Sequence, residues 1–309
     1  MNNLEKSEIL FFYESKYSQP NGDPFTGEQR YDEETKKILV SDVRIKRFIR
    51  DYWNEKGKLI YVLNPDPDNK LTAGQRFKQL FEKRSDKNMT ARQFAKTLID
   101  VRSFGAVIPI QKEKGKVKEA NQENNADAFN LTGAVQFAIL NPSLNSVDLS
   151  TLQNTSTFIS KEGDKQGTIG TSSTVPYALC QIHGWINPTS AKASGLEQAD
   201  VDDMFSALWH SVNNANTRSK SNQSSLLLVQ IVYKNTNDKI YGADRLVRIK
   251  TEKQEEQLRS MEDFNLNFDT LKDAAASDKV KEIRYYSELD TINGQLKSFG
   301  DKFKPLTIS

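Results

Sequence analysis

Four basic side chains and a single acidic one lie in the ten-residue stretch 41–50. Ser41 is a good N-cap residue, so the stretch predicts a helix that runs from there to Trp53. At 100° per residue, one arc of this helix is apolar and predicted to face the core: Ile45, Phe48, Ile49 and Tyr52. The opposite arc is basic: Arg44, Lys46, Arg47 and Arg50. A cationic helix face can bind nucleic-acid phosphates, although most such faces are merely solvated.

Side chains suited to catalysis are scarce in this chain, which has two histidines and one cysteine. Cys180 and His183 are three residues apart on a predicted strand, so they point to opposite faces and cannot form a nucleophile–base pair. Gly22 and Gly27 have the spacing of a P-loop, but an acidic residue follows where that motif requires lysine. We therefore predict no catalytic residue, no metal site and no cofactor.

One enzymatic alternative remains open at Asp23. This residue lies in the turn Pro20–Pro24, directly after the first predicted strand. An aspartate there could activate a ribose hydroxyl or bind Mg²⁺ beside the basic helix. An aspartate in a turn next to proline more often serves the turn itself.

Composition excludes several classes of protein. The chain has 309 residues, with 43 Lys+Arg against 41 Asp+Glu, so any contact with nucleic acid must come from a local patch. Its 37% hydrophobic content allows a sizeable core, whereas its apolar runs are too short to span a bilayer. A single cysteine excludes an internal disulfide, and no signal-peptide pattern begins the sequence. We predict a cytoplasmic protein with no membrane partner.

Hydrophobic periodicity predicts six elements in the order β-α-β-β-α-β. They are strand 6–13, helix 41–53, strands 132–140 and 176–186, helix 196–213 and strand 225–233. This is the split βαβ order of the ferredoxin-like fold, an α+β class that includes RRM domains. A further helix is predicted at Thr90–Val101, and 25–38 is predicted to be an irregular loop.

The predicted strand 176–186 has one face rich in aromatic and polar residues. Tyr177, His183 and Trp185 lie on that face and could stack on bases if it is exposed. The alternative is that the C-terminal segment covers them.

Several motifs follow one another in a familiar order along the chain. They are Pro20–Pro24, Val40–Tyr52, Asp100–Val107, Leu131–Phe137 and the strand block Val175–Ile186. In this order they resemble the crRNA-binding backbone subunits of type I CRISPR Cascade complexes, which belong to the RAMP superfamily. The resemblance covers roughly residues 6–250 and is closest to the type I-B branch.

The resemblance implies an RRM-like palm with an inserted finger region and a long thumb hairpin. The palm would comprise 1–53 and 131–250, with the thumb at 141–174, the finger region at 54–130 and a C-terminal extension at 251–309. Copies would form a helical filament along the CRISPR RNA spacer and present it for pairing with target DNA in antiviral defence. The implied partners are the RNA, target DNA through the guide, neighbouring copies, a 5′-end cap subunit, a large subunit and a repeat-processing nuclease.

The predicted RNA-binding set joins the polar turn, the basic helix and the strand face to residues added by the resemblance. Its members are Asn21, Gly22, Arg44, Lys46, Arg47, Arg50, Arg102, Phe158, Ile159 and His183. Backbone subunits of type I complexes are not enzymes, whereas related type III subunits cut RNA with an aspartate after the first strand. A guide-bound RNA endonuclease using Asp23 is therefore one alternative, and a ferredoxin-like scaffold that oligomerises without nucleic acid is another.

Overall fold

The computed structural model describes residues 4–66, 68–109, 128–155 and 169–309. Its α-helices are α1 Asp42–Glu55, α2 Ala73–Glu82, α3 Ala91–Ala95, α4 Ile99–Phe104, α5 Pro188–Ser194, α6 Gln198–Asn213, α7 Asp269–Ala276 and α8 Asp290–Lys297. Its strands are β1 Ser7–Ser18, β2 Tyr31–Asp32, β3 Lys37–Ser41, β4 Gly105–Pro109, β5 Ala128–Thr132, β6 Val135–Phe137, β7 Leu140–Pro142, β8 Ser150–Thr155, β9 Ile169–Ile186, β10 Gln223–Tyr233, β11 Arg248–Lys250, β12 Asn265–Asn267, β13 Val280–Tyr286 and β14 Phe303–Pro305. The predicted α+β class is confirmed.

One large sheet organises the molecule, with strand order β14-β13-β10-β1-β9-β6. The four strands predicted from periodicity are neighbours within it, as β10-β1-β9-β6, and all pair antiparallel. Strand β14 pairs parallel with β13, so the sheet is mixed. The long β9 continues past β1 and pairs there with β8, which forms a hairpin whose connection 156–168 lies outside the described residues.

Both faces of the sheet are covered, which is why β1 is apolar at successive positions. Phe11 and Tyr13 pack in the core beneath α1 and α6, whereas Leu10 and Phe12 pack in a second core on the other face. The C-terminal residues that fill this second core include Phe264. None of the helices that the structure describes is long and apolar enough to cross a membrane.

The second core corrects the prediction of an exposed stacking face on the strand 176–186. Tyr177 is only 1% exposed, and its ring packs on Phe264 with centroids 6.0 Å apart. The alternative, that the C-terminal segment covers this face, therefore holds for Tyr177.

The predicted strand 132–140 is much shorter in the structure. At Gly133 the chain passes so close to α4 that a Cβ atom would lie 2.2 Å from the carbonyl carbon of Phe104. This close approach separates β5, which pairs with β4, from β6, which pairs with β9. Two further predictions differ: 25–38 contains β2 and the start of β3, and Thr90–Val101 forms α3 and the start of α4 rather than one helix.

The segment that follows α1 has a small core of its own. Side chains from α2, α3, α4 and β4 meet in it, including Phe77, Leu80, Phe94 and Ile108. It joins the main core through α4, where Phe104 stacks on Trp53 with ring centroids 5.7 Å apart.

Candidate nucleic-acid interface

The turn after β1 fixes the start of the basic helix α1. The side-chain oxygen of Asn21 accepts hydrogen bonds from the Ser41 N–H at 2.7 Å and from the Ser41 hydroxyl at 2.8 Å. The Ser41 hydroxyl in turn accepts from the Arg44 N–H at 3.3 Å, as an N-cap does. Asn21 is only 6% exposed, and Gly22 forms a β-bridge with Gln29. Asn21 thus positions the start of α1, and Gly22 belongs to the turn that carries Asn21.

Three of the four predicted cations of α1 lie at or near the surface. Arg47 is 55% exposed and pairs with Asp51 at 2.6 Å. Lys46 is 13% exposed and pairs with Asp42 at 2.8 Å. The Arg44 guanidinium carbon lies 3.7 Å from the centroid of the Phe48 ring, and burial lowers the pKa of this arginine.

Arg50 does not lie on an exposed basic face, so that part of the prediction is wrong. The residue is 8% exposed, and its Nε donates to Asp100, which is fully buried, at 3.2 Å. On the helical wheel Arg50 lies opposite the apolar arc, but α4 covers that side of the helix through Asp100 and Phe104. Its guanidinium also lies 5.2 Å from the centroid of the Phe104 ring.

Arg102 is also engaged within the protein. Its guanidinium makes a two-bond ion pair with Asp200 at 2.6 and 2.7 Å and donates to the Thr97 carbonyl at 2.8 Å. Asp200 lies at the start of α6 and is 8% exposed. A paired arginine–carboxylate fork of this geometry leaves little of the guanidinium free for a phosphate.

The motif that begins at Asp100 therefore joins two parts of the fold. Asp100 binds Arg50 of α1, Arg102 binds α6, and Phe104 stacks on α1. Gly105 ends α4 at φ +80, where a Cβ would lie 2.5 Å from the Leu131 carbonyl oxygen.

His183 belongs to a buried hydrogen-bond network on the second face of the sheet. Its Nε2 lies 2.7 Å from a carboxylate oxygen of Glu8, whose other oxygen accepts from the Tyr233 hydroxyl at 2.6 Å. Burial alone would raise the pKa of Glu8, but the hydrogen bonds from His183 and Tyr233 outweigh it and hold that pKa below its ordinary value. The His183 side chain is 13% exposed, and its ring packs on Trp185 with centroids 4.3 Å apart. Cys180 lies in the opposite core, as predicted.

The carboxylate of Asp23 is occupied by its own turn. One oxygen accepts from the Phe25 N–H at 2.9 Å, and the other pairs with Arg30 at 2.9 Å. The hydrogen bond from Phe25 is the main reason that the pKa of Asp23 lies below its ordinary value. Among the described residues no group of three or more His, Cys, Asp or Glu converges as metal ligands.

Two cations that the sequence interpretation missed lie in the loop between α6 and β10. Lys220 donates to the Gln19 carbonyl oxygen and lines one cavity with Arg44, and burial lowers its pKa to about 8. Arg218 is exposed and lines a neighbouring groove of about 530 Å³. The available signal was the run 213–223, which contains both cations and no acidic residue.

These cations extend the surface of α1 into what we call the basic strip. Its members are Lys16, Arg44, Arg47, Arg218 and Lys220. Lys16 is exposed at the end of β1, where its N–H donates to the Asn222 carbonyl at 3.0 Å. Within the described part of the chain neither Lys16 nor Arg218 has an ion-pair partner. The two predicted thumb residues, Phe158 and Ile159, lie outside the described residues.

Comparison with known proteins identifies the family. Residues 5–269 match the family model described as CRISPR-associated protein Cas7. A Haloferax volcanii protein described as CRISPR-associated protein Cas7 is 29% identical over 276 residues, which cover 85% of this chain and 80% of that protein. A solved chain of a CRISPR RNA-guided surveillance complex shares the fold at TM-score 0.50 and 12% identity, covering 97% of this chain and 94% of that one. Because the family model spans most of its length, this chain belongs to the family of CRISPR-associated protein Cas7.

Proposed function

We propose that this protein is the crRNA-binding backbone subunit of a type I-B Cascade complex. Copies polymerise along the spacer of the CRISPR RNA and present its bases for pairing with target DNA in antiviral defence. The family match supports the subunit class, and the resemblance of the five motifs supports the type I-B branch. The observation that carries the RNA-binding part is the basic strip.

The basic strip has the composition of a phosphate track. Arg44 and Arg47 are one turn apart on α1, and Arg44 shares a cavity with Lys220. Gln19 joins Lys220 to the groove that Arg218 lines, because its carbonyl accepts from Lys220 and the residue itself lines that groove. Cations aligned in this way neutralise successive phosphates without reading sequence, which suits a subunit that must bind any spacer.

We assign different roles to the predicted site residues according to these contacts. Arg44, Lys46 and Arg47 are proposed to contact RNA phosphates. Asn21 positions α1 and Gly22 supports the turn that carries it, whereas Arg50, Arg102 and His183 act within the protein. Phe158 and Ile159 remain proposed contacts of the thumb.

The remaining architecture is proposed on the same basis. Strands β10-β1-β9-β6 with α1 and α6 form an RRM-like palm within 1–53 and 131–250, and 54–130 is the finger region. The hairpin of β8 and β9 belongs to the thumb, 141–174, and 251–309 extends the sheet at its other edge.

The partners are neighbouring copies, a 5′-end cap subunit, a large subunit and a repeat-processing nuclease in the cytoplasm. The role is non-enzymatic, and the Asp23 carboxylate stabilises its own turn.

Binding of labelled single-stranded RNA tests the phosphate track. Arg218→Glu removes one cation and adds a charge that repels phosphate, so we expect affinity to fall at least tenfold. Lys297→Glu is the matched control, because this exposed lysine lies on α8 beside the edge strand β14, three strands from β1. Equal losses in both variants, or none in Arg218→Glu, would contradict the placement of RNA on the basic strip.

A further inference from the structure

Tyr17 combines an unfavourable backbone conformation with an exposed aromatic ring. Its φ is +47, in the left-handed region that bulky residues rarely adopt, and the side chain is 57% exposed. In the described part of the chain no other aromatic ring stacks on it. Strained residues of this kind cluster at ligand sites, where the surrounding structure holds them in place.

The partner strand explains the conformation of Tyr17. Lys16 pairs with Tyr177 and Ser18 with Val175, so Tyr17 lies opposite Pro176. Proline has no N–H to donate, and the ladder is interrupted at this position. The backbone on either side is nevertheless fixed, because the Lys16 N–H donates to Asn222 and the Gln19 N–H to Ser219. Tyr17 is thus held between two anchored neighbours.

The groove beside Tyr17 offers both apolar and polar contacts. Leu152 lines it from β8 and is 49% exposed, so an aliphatic side chain faces the same space as the tyrosine ring. The other lining side chains are mostly hydroxyls and one amide, among them Gln19, Thr171 and Thr174. Among the described residues of the lining, Arg218 is charged and none is acidic.

We propose that Tyr17 is a stacking platform for one nucleobase of the bound RNA. The ring of Tyr17 covers one face of the base, Leu152 contacts it from the hairpin, and Arg218 and Lys16 hold the adjacent sugar-phosphate backbone. Every base has a π-face, so such a contact is tolerant of sequence. The inference rests on the proposed function, because it takes the guide RNA as the ligand.

Three substitutions at Tyr17 separate stacking from backbone effects. Tyr17→Phe keeps the ring, and we expect RNA affinity within about twofold of the wild type. Tyr17→Leu keeps bulk without a π-face, and we expect affinity to fall about 5–150-fold, the range measured for base–aromatic stacking. Tyr17→Gly accepts a φ of +47 without strain, so it should lose affinity while its melting temperature does not fall.

A fluorescent base gives a readout that a purely structural role would not change. RNA carrying 2-aminopurine at successive positions is titrated with the full-length wild type, Tyr17→Phe and Tyr17→Leu. We expect quenching at particular positions with the first two proteins and its loss with Tyr17→Leu.

The outcomes distinguish this inference from the function on which it rests. If the wild type binds no RNA, the proposed function fails. If Arg218→Glu loses affinity but Tyr17→Leu binds and quenches like the wild type, only the stacking inference is overturned. A melting temperature of Tyr17→Leu equal to that of Tyr17→Phe would show that its loss of affinity is not a loss of folding.

Discussion

Arg50 of α1 and Asp100 of α4 form a buried ion pair, with the arginine Nε 3.2 Å from the carboxylate. The same carboxylate accepts the N–H groups of Tyr61 and Val62 at 3.0 and 2.9 Å. One aspartate therefore holds the helix, the chain that leaves it and the inserted segment together. A residue that the sequence places among phosphate contacts is instead part of the framework that carries them.

We predict that Arg50→Ala lowers the free energy of unfolding by about 3–5 kcal/mol, because it leaves the Asp100 charge buried without its cation. Arg47→Ala breaks an exposed ion pair on the same helix and should cost at most about 1 kcal/mol. Urea unfolding of the two variants checks the difference. Similar losses of unfolding free energy in both variants would mean that Arg50 contributes no more to stability than the exposed Arg47.

Arg47, which contributes little to stability, should contribute to RNA affinity. Arg47→Ala is expected to weaken binding and to reduce the slope of log affinity against log salt by about 1, as loss of one phosphate contact does. Lys297→Ala should leave both quantities unchanged. A wild-type slope in Arg47→Ala would remove this residue from the phosphate track.

Lys220 predicts a specific dependence of stability on pH. Its pKa is lowered to about 8, so between there and the ordinary value of 10.5 the unfolded chain binds more protons than the folded one. Stability therefore rises with pH across this window, as the cost of the buried charge disappears. The stability of the wild type relative to Lys220→Met should increase from pH 8 to pH 10, by about 3 kcal/mol at most. A difference that stays flat or falls would contradict the burial of a charged Lys220.

Asn21 should matter for both stability and RNA binding, through Ser41. Asn21→Ala removes the acceptor for the Ser41 N–H and hydroxyl, which we expect to cost about 1–3 kcal/mol of stability because the N–H becomes unsatisfied. RNA affinity should fall as well, because the start of α1 is no longer fixed beside Arg44. An Asn21→Ala protein with wild-type stability would show that the turn does not position α1.

Local periodicity predicted the parts of the fold that depend on near neighbours. The four central strands and both helices of the core follow from patterns such as Ile45, Phe48 and Ile49 on α1, which all pack in the main core. The break between β5 and β6 could not be predicted, because it depends on Gly133 approaching a residue 29 positions earlier, Phe104.

Long-range partners explain why part of the predicted site was misplaced. A helical wheel gives the direction of Arg50 but not the segment that covers it, and its partner lies 50 residues away. The partner of Arg102 lies 98 residues away. Tyr177 is covered by Phe264, which lies in a segment with weak periodicity. In contrast, Arg218 and Lys220 could have been identified by counting charges along the run 213–223, which has no acidic residue.

Copies of this protein should assemble on RNA in numbers that rise with the length of the RNA. Mass photometry of the purified protein, freed of bound nucleic acid and mixed with synthetic guide RNAs of increasing spacer length, measures this directly. We predict complexes whose protein content rises in regular steps with spacer length, and a shift to the free protein after RNase treatment. The same number of copies on every RNA, or assemblies of unchanged size after RNase treatment, would contradict the account.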